Sequence, residues 1–159
     1  DLDRAAQYNP SSISKNGYAY AIAAIPDADH KAAAYKRIME DSSLSNDALT
    51  STANGFLRGD VGLRTPYYKL FFDSLLSMWD TRSIGMATRI VRGLYPRSLY
   101  NYGSAEGTGV SDNPSVALAQ DWLRKNPSAP SALRRLILEA QDNAHRNMIG
   151  QQFNSSLSD

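Results

Sequence analysis

The chain has no cysteine among its 159 residues and only two histidines. The absence of thiols excludes disulfide frameworks, thiolate zinc sites and cysteine nucleophiles. A histidine-based zinc site for hydrolysis needs two histidines one helical turn apart and a carboxylate base. His30 and His145 instead fall far apart, on different predicted helices. We therefore expect both to be solvated surface residues, and we expect no metal, no cofactor and no catalytic residue in this chain.

Long apolar runs and an excess of one charge are also missing. No apolar run approaches the roughly 20 residues of a membrane span, and no signal-peptide pattern is present. The chain has 17 basic and 16 acidic residues, for a net charge of +1. A nucleic-acid binder usually has a concentrated excess of basic residues. We expect neither a membrane nor a nucleic-acid partner, and the absence of thiols favours a cytoplasmic location. Because Asp1 replaces an initiator methionine, we expect an excised or processed segment.

Helix signals are present along the whole chain. Residues 1–8 fit the end of a helix, and residues 13–25 and 114–126 fit two further helices. The capping residues expected to begin the other helices are Asp27, Ser45, Thr65 (followed by Pro66), Asp80 or Thr81, and Ser128. Residues 97–113 are rich in glycine and serine and predict a loop. Its GSAEGTG string lacks the Gly-Lys-Ser/Thr of a phosphate loop.

Two apolar stripes predict buried helix faces. The first follows helical spacing and consists of Tyr68, Phe71, Phe72, Leu75, Leu76 and Trp79. The second lies in WDTRSIGMATRIVRGLYP, residues 79–96, which we interpret as one amphipathic helix ending at a Tyr-Pro corner. Its apolar members are Ile84, Ala87, Ile90, Val91 and Leu94. Arg82, Arg89 and Arg92 fall on the opposite side of this helix.

About seven helices with short connections predict an all-α fold. We expect a right-handed α-superhelix of antiparallel helix pairs, similar to degenerate HEAT or armadillo repeats. The strings FLRG and IVRG, which begin at Phe56 and Ile90, suggest equivalent helix ends. We expect one helical domain over residues 1–153 and a polar tail over residues 154–159.

The arginine-bearing helix carries the candidate functional residues. Arg82, Arg89 and Arg92 suit binding of acidic groups or a peptide carboxylate in a cavity. Ion pairs between helices or domains, or plain solvation, would explain the same pattern. Tyr95 stands beside them and suits either ligand stacking or packing at the corner. These four residues are our candidates for contact with a substrate cavity or a neighbouring domain.

Several segments together resemble the C-terminal helical domain of actinobacterial aminopeptidase N-type zinc metallopeptidases, a domain shared with endoplasmic-reticulum aminopeptidases. The segments are WDTRSIGMATRIVRGLYP, PDADHKAAAYKRIMED, RTPYYKLFFDSLLSMWDTRS and SALRRLILEAQDNAHRNMIGQQF. The resemblance implies a parent enzyme that removes N-terminal residues from peptides with one zinc ion. The family's His-Glu-x-x-His and Gly-x-Met-Glu-Asn motifs are absent from this chain, so the resemblance assigns it no catalytic or metal-binding residue.

The function implied by this resemblance is that of a non-catalytic domain. It would cover the active-site cavity and limit substrate access, with the upstream catalytic domain of the same polypeptide and peptide substrates as partners. Zinc would belong to the parent enzyme, and the chain alone should be inactive. The alternative is a free-standing helical-repeat module that binds a protein or peptide. A helical regulator with a ligand pocket lined by Tyr, Trp and Arg is a third hypothesis.

Overall fold

A computed structural model describes residues 12–96 and 114–156, with side chains for residues 15–96 and 115–146. The predicted helix in residues 1–8 and the predicted loop over 97–113 lie outside these ranges. Within them the elements are α1 (Ser12–Ala24), α2 (Ala28–Glu40), α3 (Asn46–Phe56), a 3-10 turn (Val61–Leu63), α4 (Pro66–Thr81), α5 (Ile84–Leu94), α6 (Pro114–Lys125) and α7 (Ser131–Ser156). No strand occurs in the described residues, so the all-α class is confirmed.

The chain divides into two compact units, with the boundary between Leu94 and Tyr95. The first unit contains α1 to α5, and the second contains α6 and α7. The right-handed superhelical stacking of antiparallel pairs, and the single helical domain over residues 1–153, stay predictions. The last helix continues through Ser156, beyond the start of the polar tail expected at Asn154.

Helix α3 is the centre of the first unit and packs against α1, α2 and α5. Small residues allow these approaches. A Cβ placed on Gly55 would overlap the carbonyl oxygen of Tyr20 in α1 and lie 2.9 Å from the Cβ of Ala23. A Cβ on Gly93 in α5 would lie 3.0 Å from that of Ala53. Glycine at position 55 therefore sets how closely α1 and α3 approach.

Large apolar side chains fill the remaining interior of each unit. In the first unit they include Ile38, Leu49, Phe56, Phe71, Phe72, Leu75, Met78, Ile90, Val91 and Leu94. In the second they include Val116, Trp122, Leu133, Leu136 and Ile137. Burying each such side chain contributes about 1.5–3 kcal/mol relative to leaving it exposed. The predicted stripe of α4 is wrong at Leu76, which is 38% exposed, because the buried face passes through Met78 instead.

Two of the predicted helix caps are confirmed. The Asp27 carboxylate accepts hydrogen bonds from the backbone N–H groups of Asp29 and His30 at the start of α2. The Ser45 hydroxyl oxygen accepts one from the N–H of Ala48 at the start of α3. Each cap satisfies N–H groups that have no partner inside the helix.

The other predicted caps need correction, although α4 does begin at Pro66 as predicted. Thr65 precedes α4, but its hydroxyl donates back to the carbonyl of Val61 and caps nothing. The final helix starts at Ser131 rather than after Ser128, because the carbonyl of Pro130 accepts its first hydrogen bond, from Arg134 N at 3.0 Å.

The segment from Trp79 to Pro96 is not one helix. Helix α4 continues through Trp79 to Thr81, and α5 begins at Ile84. The cap of α5 is neither Asp80 nor Thr81. It is Ser83, whose hydroxyl accepts from the N–H of Met86 at 3.3 Å. The corner predicted at Asp80 or Thr81 therefore lies slightly later in the chain, at Ser83, and Ile84 beside it is exposed although the second stripe predicted it to be buried.

The repeated strings FLRG and IVRG do not end their helices in the same way. Gly59, the last residue of FLRG, lies beyond α3 with a φ of +82°, a conformation that favours glycine. Gly93, the last residue of IVRG, lies inside α5 and packs on Ala53. The two similar strings therefore occupy different structural positions, one after the end of a helix and one inside a helix.

Candidate functional site

The predicted arginines occupy two kinds of position. Arg82 is the C-cap residue of α4, and its Nη2 donates to the carbonyl oxygen of Met39 at 2.6 Å, near the end of α2. Arg89 and Arg92 lie on the exposed face of α5. Arg92 is in the last turn, where a positive charge complements the helix dipole. Arg82 thus connects two helices, whereas Arg89 extends into solvent.

Tyr95 follows α5 and is buried, with 2% of its surface exposed. Burial raises the pKa of its hydroxyl above the ordinary value, because the phenolate would lose its hydration. The ring of Tyr95 is therefore part of a packed interior in this structure. Tyr100 and Tyr102, the other tyrosines near the predicted loop, lie outside the described residues.

Lys31 is the most unusual charged group of the first unit, because none of its surface is exposed. Its Nζ donates to four carbonyl oxygens, those of Ala23 (2.7 Å), Gly55 (3.2 Å), Phe56 (3.1 Å) and Arg58 (2.8 Å). These carbonyls belong to the C-terminal turns of α1 and α3 and to the turn after α3. One ammonium thus satisfies carbonyls at two helix ends, where the dipoles also favour a cation.

The same arrangement occurs at two other helix ends. Arg82 binds the carbonyl of Met39 near the end of α2. In the second unit, Arg134 Nη1 donates to the carbonyls of Leu123 (2.8 Å) and Asn126 (2.6 Å) at the end of α6. In each case a cation from a different element donates to carbonyls at the C-terminal end of a helix. These charges therefore stabilise the ends of helices.

An aromatic cluster surrounds the Lys31 site. The rings of Tyr35, Phe56 and Tyr67 lie with centroids 4.7 to 5.9 Å apart. The ammonium of Lys31 lies 5.9 Å from the centroid of the Phe56 ring, within the range of a cation–π contact. Burial raises the pKa of Tyr35 to about 12. The cluster joins α2, α3 and α4 into one interior.

Arg64 is a second buried cation, with 3% of its surface exposed. Its Nε and Nη2 are buried and form no hydrogen bond with any described residue. Burial lowers the pKa of Lys31, and the charge of Arg64 lowers it further, which places the two cations within electrostatic reach of each other. The hydroxyl of Tyr68, one helical turn beyond Arg64, is also buried without a hydrogen-bond partner.

The histidines do not form a metal site with the residues that the structure describes. His30 Nδ1 lies 2.8 Å from the Asp27 carboxylate, and this hydrogen bond lowers the pKa of Asp27. His145 is exposed on α7. Among the described side chains, residues 15–96 and 115–146, no group of three or more His, Asp or Glu is arranged so that it could hold a metal ion.

A cleft of roughly 590 Å³ lies within the second unit, between α6 and α7. Its lining residues are Val116, Gln120, Arg135, Leu138, Glu139, Gln141, Asp142 and His145. The charged members are paired at the surface: Arg135 with Glu139 at 3.3 Å, and Asp142 with Arg146 at 3.2 Å.

Sequence reasoning missed both buried cations. Lys31 falls on the apolar stripe of α2 with Ala34 and Ile38, at positions i, i+3 and i+7. This spacing could have indicated from the sequence that Lys31 is buried. Arg64 lies in the turn between Leu63 and Thr65, where no periodicity marks which side chains are buried. Its burial was therefore not readable from the sequence.

The fold and the site define an all-α protein in which Lys31, Arg82 and Arg134 donate to carbonyls at the ends of helices. None of its described helices combines the length and apolarity needed to cross a bilayer. No protein-family model matches the chain. The chain is similar to aminopeptidase N of Streptomyces lividans, with 29% identity over 143 residues. The aligned region is 89% of this chain but 15% of that protein, so the chain spans a small part of its relative's length.

Proposed function

We propose that this chain is a non-catalytic helical domain from the C-terminal part of an aminopeptidase N-like zinc peptidase. In this role it covers the active-site cavity and limits the entry of peptides. The single observation that supports the proposal is the alignment, which includes nearly the whole chain and only 15% of aminopeptidase N. A segment of that size leaves most of the enzyme, including room for a metal domain, outside this chain.

The chemistry of the described residues agrees with a role without catalysis. They do not fit a zinc site, because His30 is bonded to Asp27 and no third donor joins them. The buried Lys31 and the half-buried Arg82 and Arg134 are engaged with backbone carbonyls. Zinc and the residues that act on the peptide bond would belong to the catalytic domain, which is the proposed partner.

The first test measures peptidase activity in the purified chain. With alanine p-nitroanilide as substrate and equimolar zinc in the buffer, we expect no turnover above the rate of a blank. The full-length protein that contains this sequence should cleave the same reporter. Turnover by the chain alone would contradict a non-catalytic role.

The second test compares the full-length protein with a variant that lacks residues 1–153. The measured quantity is the ratio of kcat/KM for a ten-residue peptide to kcat/KM for the small reporter. We expect this ratio to change by at least about threefold, because the cavity would no longer be covered. An unchanged ratio would count against control of access. A full-length protein without any zinc-binding motif would instead favour the free-standing interaction module.

Of the four residues predicted to contact a cavity or a neighbouring domain, Arg89 is the best placed. Its side chain is exposed on α5, whereas Arg82 is engaged with Met39 and Tyr95 is buried. In the full-length protein, we expect Arg89→Ala to raise KM for the ten-residue peptide more than for the small reporter. Arg58→Ala removes an exposed arginine from a turn of the same unit and serves as the matched control. Equal effects of the two substitutions would contradict a role for Arg89.

A further inference from the structure

The buried guanidinium of Arg64 has an unoccupied hydrogen-bonding edge. Its Nε and Nη2 are the two nitrogens without a partner. In an arginine side chain these two N–H groups point in parallel from one edge of the planar group, and this fork matches the two oxygens of a carboxylate. The two nitrogens without a hydrogen-bond partner are therefore the pair that bidentate binding of a carboxylate requires.

The buried positive charge of Arg64 would also be stabilised by a bound anion. A buried charge without a partner is strongly destabilising. The other buried cation in this region, Lys31, is already committed to four carbonyls and adds repulsion. The nearest acidic residue in sequence, Asp60, is exposed and accepts a hydrogen bond from the N–H of Gly62. Asp73, further along α4, is paired with Lys69.

Arg64 lies in the turn before α4, and its chain neighbours Gly62, Thr65 and Pro66 are exposed. The unpartnered hydroxyl of Tyr68, one helical turn away, supplies a further donor in the same region. We propose that Arg64, through its Nε–Nη2 edge, binds a carboxylate, either of a small free anion or of an acidic side chain of a polypeptide.

The experiment uses this chain and follows thermal unfolding by circular dichroism at constant ionic strength, with sodium acetate replacing sodium chloride. We expect acetate to raise the midpoint by roughly 3 °C when it is well above its dissociation constant. Arg64→Met should abolish the response and still fold, since it removes an unpaired buried charge. Arg64→Lys keeps the charge without the fork and should weaken binding about tenfold. Arg134→Met, which removes an arginine whose guanidinium is already bonded, should keep the response.

A second measurement follows the arginine Nε–H resonances by NMR during the same titration. The Arg64 resonance should shift and saturate, while that of Arg134 should not. A blocked tripeptide with a central glutamate, compared with its glutamine counterpart, distinguishes the source. A stronger effect of the glutamate peptide than of acetate indicates a polypeptide carboxylate, and an equal effect indicates a small anion. Identical midpoints in chloride and acetate, or an undiminished response in Arg64→Met, would overturn the proposal. Because the site needs only Arg64 and its surroundings, it does not depend on the proposed function.

Discussion

The substitution Gly55→Ala tests whether the close approach of α1 and α3 determines the stability of the first unit. On helix propensity alone, alanine in place of a helical glycine should stabilise by about 1 kcal/mol. At position 55, however, the new Cβ would overlap the carbonyl oxygen of Tyr20 and press on Ala23. A backbone carbonyl cannot rotate away, so α1 must move. Overpacking of this kind costs typically 1–3 kcal/mol, and more where backbone must shift.

We therefore expect Gly55→Ala to lower the free energy of unfolding by about 2 kcal/mol or more, after the propensity gain is subtracted. In a chain of this size the midpoint of thermal unfolding should fall by roughly 4–8 °C. The matched control is Gly17→Ala in α1, where a Cβ would meet no heavy atom within 4 Å. That variant should gain about 1 kcal/mol and melt roughly 2–4 °C higher.

Circular dichroism melts and urea titrations of both variants measure these changes. The opposite signs of the two effects are what the reasoning requires, because both substitutions make the same chemical change in a helix. A Gly55→Ala variant as stable as the unmodified chain would refute the view that this crossing tolerates no side chain.

Three further predictions concern the polar interior. Lys31→Met leaves four carbonyls without their donor and should reduce the free energy of unfolding by about 3 kcal/mol. Urea titration measures this change, and a loss under about 1 kcal/mol would be inconsistent with the role of Lys31 at the helix ends. Arg134→Met removes two hydrogen bonds at the end of α6 and should lower the free energy of unfolding by about 2 kcal/mol. Its control is Arg135→Met, which changes an exposed neighbour on α7 and should alter that free energy by less than about 0.5 kcal/mol. Tyr35 keeps its proton to about pH 12 in the folded state and releases it near pH 10 when unfolded, so stability should fall as pH rises through this window. Tyr35→Phe should lose less stability between pH 9 and pH 11, and identical pH profiles would show that burial of this hydroxyl is unimportant.

The helix boundaries show where local sequence sufficed. Asp27 and Ser45 act within three residues of themselves, so their caps were readable without the fold. The break before α5 was predicted with its cap at Asp80 or Thr81, and the cap is Ser83 instead, because α4 continues through Thr81 and the local sequence does not mark which of these neighbouring polar residues begins the next helix. For the candidate site, Arg82 was predicted to contact a substrate cavity or a neighbouring domain, which stays a prediction; in this structure its Nη2 donates to the backbone carbonyl of Met39. No sequence pattern specifies a partner 43 residues away.

The sequence by itself determined the all-helical class, most helix starts and the apolar faces, because caps, prolines and periodicity act over a few residues. Only the tertiary structure decided that Gly55 lies at a helix crossing, that Lys31 joins two helix ends, and that Arg64 is buried with an open edge. These outcomes depend on which helices meet and at what distance. Helix packing sums many weak contacts between distant residues, and no single local pattern contains that sum.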